Sequence, residues 1–207
     1  MNPSKNISRF SWLTDGATCS ERPEWDRVLF ETEEFAAIPS LGSLVAGWML
    51  IVPKRKIENL SMLTHKERLA LVSFTKLVEA NLKQFGGHIY KFEHGGSTGS
   101  VISCGVDQAH LHIVPLNFDL FNSARTSKEM QWKECESQYD PWTEVPKKSE
   151  YLLMYDNSQA FIGGLNIKTS QWFRKLIAQK LNCAEQWDYK FHPNYCIIQQ
   201  TVKRLAA

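Results

Sequence analysis

From Gln108 to Val114 the chain alternates so that Gln108, His110, His112 and Val114 share one side of an extended segment, with Ala109, Leu111 and Ile113 on the other. The second set is wholly apolar and fits a core. The first lines up an amide and two imidazoles, successive members roughly 6.6 Å apart along a strand. Core packing gives no reason for two histidines at alternate positions. Against a chemical role stands the plain reading of two half-exposed strand histidines. The preceding amide and the glycine-rich loop upstream favour chemistry. This segment, about 107–114, therefore reads as a strand with one apolar core face and one polar face.

The rest of the chain supplies a sheet for it. Residues 27–32, 35–38 and 47–52 read as strands, and the continuous apolar run 48–52, ended by Pro53, calls for burial on both faces. Thr64 and Glu67 have capping-box spacing, and the following helix sets Leu71, Phe74, Val78, Leu82 and Phe85 on one face before Gly86-Gly87 stops it. Residues 88–92 form another strand, followed by a Gly/Ser-rich loop over 93–103. Residues 117–149, polar and aromatic with Pro141 and Pro146, read as irregular or partly helical. Strands at 151–155 and 160–167 and helical faces at 171–181 and 193–205 complete the chain. The expected class is α+β: an antiparallel sheet with packed helices plus a C-terminal helical extension. Residues 1–24 form a loosely ordered lead-in, 25–120 the core domain, and 121–207 an extension packed on it.

Composition narrows the partners. The 207 residues carry a formal net charge of +2, too little to argue for nucleic acid or an acidic membrane. Cys19, Cys104, Cys135, Cys183 and Cys196 are scattered without a C-x-x-C pair, so neither a zinc site nor a disulfide framework is expected. With no long apolar run and a polar N-terminus, the chain reads as a reduced cytoplasmic protein without membrane contact.

Imidazole is largely unprotonated near neutral pH and is a good nucleophile toward phosphorus. A second imidazole two residues on can contact phosphoryl oxygens or pass a proton to the leaving group. Backbone N–H groups of the loop, through Ser103, Cys104 and Gly105, can bind an anion, although the loop lacks a P-loop's Gly-Lys-Ser/Thr and reads equally well as a connector. Glu93 and His94 either reach the site from this loop, His94 as a phosphate or base contact, or serve as turn and surface residues. Lys54-Arg55-Lys56 reads as a solvated basic run, His65, His88 and His192 as structural, and Trp187 and Tyr189 as anchors of the terminal helix or a stack for a base. A His-x-His metal site with Glu93 or His94 is the rival reading, weakened because Leu116 and Asn117 stand where a carboxylate ligand is expected.

The run Gln-Ala-His-Leu-His-Ile-Val-Pro115 resembles the H-φ-H-φ-H-φ-φ motif of the histidine-triad (HIT) superfamily, with His110 in the middle position and His112 in the third. The elements containing Ala36-Ala37, Gly47 to Arg55, Ile57 to Leu60, the helix from Thr64, and Phe92 to Gly95 follow the family's order over about 25–116. The segment 171–205, with Gln186 to Tyr189, is similar to the extension of some longer members. The resemblance implies a nucleotide or nucleotide-conjugate substrate, a homodimer, no cofactor, and attack by the middle histidine on the α-phosphorus to give a nucleotidyl-histidine. A non-catalytic nucleotide-binding protein is the alternative. Carried over, His110 is the nucleophile, His112 an oxyanion contact, Cys104 and Gly105 backbone phosphate contacts, and Ser40 lies near the ribose position. The chain departs in three places: Gln108 replaces the first histidine, Trp48 a histidine after Gly47, and Lys56 a further one. Gln108 is expected to hold His110 by hydrogen bonding.

Overall fold

The computed structural model describes residues 9–14, 23–97, 100–101, 108–146 and 149–206. Eight strands form one antiparallel sheet: β1 Phe30–Glu31, β2 Phe35–Pro39, β3 Met49–Pro53, β4 His88–Gly95, β5 Leu111–Leu116, β6 Met130–Glu134, β7 Tyr151–Tyr155 and β8 Ala160–Leu165, in the order β1-β2-β3-β5-β4-β7-β8-β6. The helices are α1 Ser11–Thr14, α2 His65–Leu82, α3 Leu120–Arg125, α4 Trp172–Lys180 and α5 Tyr195–Leu205. None of the described helices is long and apolar enough to cross a membrane.

Both faces of the sheet are covered, which explains why β2, β3, β5 and β7 are buried along their whole length. One face sets Phe35, Met49, Ile51, Leu111, Ile113 and Leu153 against Leu71, Phe74, Val78 and Leu82 of α2. Thr64 caps α2 in the expected box with Glu67, and Gly86 ends the following 3₁₀ turn at φ 74°. The other face carries two clusters. Trp48, Phe92, Val114, Leu152 and Met154 meet Leu120 and Phe121 of α3 and Trp172, Phe173 and Ile177 of α4, while Ile38, Leu50 and Val52 meet Phe10 just before α1.

Four expectations change. Strand 88–92 runs on to Gly95 because Glu93, His94 and Gly95 pair with Leu153, Leu152 and Tyr151 of β7; Glu93 and His94 lie on a strand, not in a loop. The strand expected over 107–114 begins at Leu111, leaving Gln108, Ala109 and His110 as its lead-in. Within 117–149 there is an edge strand, β6, besides α3. Part of the lead-in is ordered too: Phe10 is 1 % exposed.

Candidate active site

Register assembles the site. Phe92, His112 and Leu50 are cross-strand partners on β4, β5 and β3, and Ile38 pairs with Leu50. Two residues beyond Phe92 on the same face is His94. His94, His110 and His112 therefore gather beneath Phe10 on one side and Phe173 of α4 on the other. The ring centroids of His110 and His112 are 5.0 Å apart and those of His94 and His112 6.0 Å. Phe92 stacks on His112 at 4.5 Å, Phe173 lies 5.2 Å from His94, and Phe10 meets His110 edge-on at 5.7 Å.

Hydrogen-bond partners fix the tautomers. His110 Nδ1 lies 2.8 Å from the backbone oxygen of Gln108. A carbonyl only accepts, so Nδ1 carries the proton and Nε2 the lone pair. The Trp48 indole N–H donates to His112 Nδ1 at 3.0 Å. An indole only donates, so His112 keeps its proton on Nε2. The backbone N–H of Phe173 donates to His94 Nε2 at 3.3 Å, which places the His94 proton on Nδ1.

All three rings are neutral at physiological pH. Burial pushes His110 down to about 4, with the Arg9 and Arg174 charges adding to the effect and the Gln108 carbonyl opposing it. Burial, then His110 and Arg174, push His94 down to about 3, and burial holds His112 well below the usual imidazole range.

A small cavity adjoins the pair, lined by Arg9, Phe10, Ser40, Arg174 and Tyr189 together with His110 and His112. It leaves about 20 Å³ open to the centre of a water-sized sphere, room for about one water. No carboxylate among the described residues lines it. Arg174, from α4, is 2 % exposed. Its Nε donates to the Trp187 carbonyl at 2.9 Å, Nη1 to Ser40 Oγ at 3.4 Å and Nη2 to the Gly42 carbonyl, and its guanidinium lies 4.9 Å over the Trp48 ring. Gly42, at φ 69°, allows this approach, since a Cβ there would lie 2.8 Å from Arg174 Nη2.

The expected site residues divide. His110, His112, His94 and Ser40 converge, and Tyr189 joins them. Glu93 does not: it faces the α2 side, accepting from Leu60 N–H at 2.7 Å, Trp142 Nε1 at 2.8 Å and Tyr151 Oη at 2.7 Å, and burial raises it to about 7. The Gln108 side chain does not hold His110. Its Oε1 accepts from Ile57 N–H at 3.2 Å, and its Nε2 donates to the Pro53 and Arg55 carbonyls at 3.0 Å each; only its main chain contacts the His110 ring. Ser103, Cys104 and Gly105 lie outside the described residues. Within the basic run, Lys54 pairs with Glu31 and Arg55 with Glu67. Among the described residues no group of three His, Cys, Asp or Glu side chains is arranged to hold a metal ion.

Arg174, Arg9 and Phe10 were not anticipated. Phe10-Ser-Trp12-Leu13 is an apolar cluster in a polar stretch and was a usable signal. Arg174 gave none, since its contact with Ser40 spans 134 residues.

The sheet carries a buried His-x-His where the lead-in meets the central strand β5. Residues 22–119 match the family model described as HIT domain. That segment is a HIT domain of the histidine-triad superfamily, with an amide in the first triad position. Among solved structures, the chain is similar to a HIT-like protein of Bartonella henselae described as involved in cell-cycle regulation and bound to an unknown ligand (18 % identity, 54 % of this chain and 81 % of that one, TM-score 0.42). It is also similar to a hypothetical histidine-triad nucleotide-binding protein of Sulfolobus tokodaii (27 %, 42 % and 58 %, 0.37) and a histidine-triad protein of Clostridium difficile (22 %, 57 % and 100 %, 0.37). No curated protein matches.

Proposed function

We propose that the protein is a nucleotide hydrolase or nucleotidyltransferase that acts at the α-phosphate of a nucleotide conjugate through a covalent intermediate on His110. The reading rests on one observation above the others: the Gln108 carbonyl holds the His110 proton on Nδ1, so the lone pair sits on Nε2.

In the first step the Nε2 pair bonds to the α-phosphorus and the bond to the leaving oxygen or nitrogen breaks, its electrons going to the leaving group. His112, holding its proton on Nε2, donates a hydrogen bond to a phosphoryl oxygen, and its tautomer is set by Trp48. In the second step water or another acceptor bonds to phosphorus, the phosphorus–nitrogen bond breaks, and its pair returns to Nε2; the acceptor's proton leaves with solvent or the first leaving group. A nucleotide needs a pocket of roughly 300 Å³ or more, so Phe10 and α1 move aside when substrate enters. The same reading makes the protein a cytoplasmic homodimer, in keeping with free thiols at Cys135, Cys183 and Cys196.

The test is to trap the intermediate. Wild type and His110→Ala are mixed with adenylylated, guanylylated and sugar-nucleotide conjugates and quenched in alkaline denaturant, because phosphorus–nitrogen bonds are acid-labile. Intact mass should rise by one nucleotidyl group in the wild type alone. No adduct across the panel, or an adduct on the variant, overturns the assignment.

A further inference from the structure

None of the three imidazoles gathered at the site is positively charged near neutrality. The position where a triad protein places a further imidazole holds Gln108, whose amide is engaged by the backbone at 53–57. Permanent charge at the cavity comes instead from two guanidinium groups, Arg9 and Arg174. They differ in kind. Arg9 is bound to Asp26 at 3.0 Å and precedes α1 on the segment that covers the nucleophile. Arg174 is anchored in the interior by two carbonyls and the Ser40 hydroxyl.

We propose that Arg174, contributed by α4 outside the HIT domain, is a catalytic residue that contacts the phosphoryl group of the substrate and neutralises its charge as His110 attacks. Its placement carries the proposal: buried at 2 % exposure, it lines the same cavity as His110 and His112. Guanidinium suits the task because it stays charged at every working pH and is more weakly hydrated than an ammonium group. Its hydrogen bonds to fixed oxygens and the Trp48 face beneath it hold it in place before substrate arrives, so little reorganisation accompanies the reaction. The substrate class that follows carries a negatively charged phosphoryl group next to the scissile bond. This rests on the proposed function, but only on its phosphate.

The experiment separates the two claims. Full-length wild type, Arg174→Lys and Arg174→Gln are titrated with inorganic phosphate, AMP and adenosine, reading the imidazole signals by NMR. Wild type should bind AMP more tightly than adenosine. Arg174→Gln should lose about tenfold or more for phosphate and AMP while its adenosine affinity stays within about twofold, and Arg174→Lys should fall between. Equal AMP binding in wild type and Arg174→Gln overturns the role of Arg174 and leaves the nucleotide reading standing. Loss of adenosine binding together with AMP binding marks Arg174 as a structural strut and also overturns it. If wild type takes phosphate through Arg174 but binds neither AMP nor adenosine, the anion role holds and the nucleotide reading falls. If it binds none of the three, both fall.

Discussion

The imidazole of His110 and the peptide carbonyl of Gln108 lie 2.8 Å apart, and this bond, made by main chain, sets which nitrogen of the ring is basic. The Gln108 side chain meanwhile satisfies three backbone groups between Pro53 and Ile57. A change of side chain at 108 therefore acts on the loop and leaves the tautomer of His110 alone.

Gln108→Ala should accordingly cost stability more than rate. Three hydrogen bonds vanish, two of them buried, and their partners lose a mate, a loss of roughly 2–4 kcal/mol at about 0.5–1.5 kcal/mol each. Single-turnover adduct formation should stay within about threefold of wild type. Denaturant unfolding beside quenched-flow mass spectrometry measures both, and a hundredfold slower adduct with unchanged stability would show that the amide itself serves the chemistry.

Trp48→Phe keeps the apolar bulk and removes one N–H. His112 then lacks the donor that keeps Nδ1 unprotonated, so its two tautomers mix and its hydrogen bond to the phosphoryl oxygen weakens. Adduct formation should slow about tenfold, and ¹⁵N spectra should show His112 shifting toward the Nδ1-protonated form. Unaltered spectra would remove the indole from the account.

Acid should act on stability before it acts on chemistry. His110 and His94 are held at about 4 and about 3, below the ordinary 6.5, and His112 also lies low. Between pH 6.5 and those values the unfolded chain binds protons that the folded one refuses, so stability falls as pH falls through that window. From pH 6.5 to 5 the loss is about 1–2 kcal/mol for each of His110 and His94. Glu93, raised to about 7 from 4.5, has the opposite sign: it binds its proton more readily when folded, so its stabilisation is present at acid pH and is lost as pH rises to about 7. Replacing His94 with Gln should flatten the acid limb of a denaturation series by about one histidine's share, and an unchanged limb counts against this account. The adduct rate itself should hold from neutrality to about pH 5 and halve only near 4.

Phe10→Ala should uncover His110. Phe10 is 1 % exposed and meets the His110 ring edge-on at 5.7 Å. Modification of His110 by diethyl pyrocarbonate, followed by peptide mass mapping, should speed up at least about tenfold. An unchanged rate would mean that this cover does not limit access.

What the sequence disclosed was local or periodic. The Thr64–Glu67 cap, the Gly86 stop and the alternation through Leu111 and His112 all hold. Glu93 and His94 were legible as a pair but misplaced, because Gly95-Gly96 reads as a loop while β7, fifty-odd residues on, draws the chain into the sheet. β6 escaped because Met130-Gln-Trp-Lys-Glu134 is an edge strand with mostly exposed polar side chains and little alternation. Arg174 belongs to no motif; only the fold brings a helix of the extension over Trp48.

β4 lies between β5, inside the HIT segment, and β7, beyond it, with five residue pairs on each side. A polypeptide cut after residue 119 would turn this interior strand into a raw edge, with a row of N–H and C=O groups bared along it, and would strip Tyr151, Leu153 and Tyr155 from the core beneath. Such an edge is a template for its own copies. The boundary drawn by family likeness is thus a poor place for scissors: the shorter piece would keep His110 and His112 and polymerise.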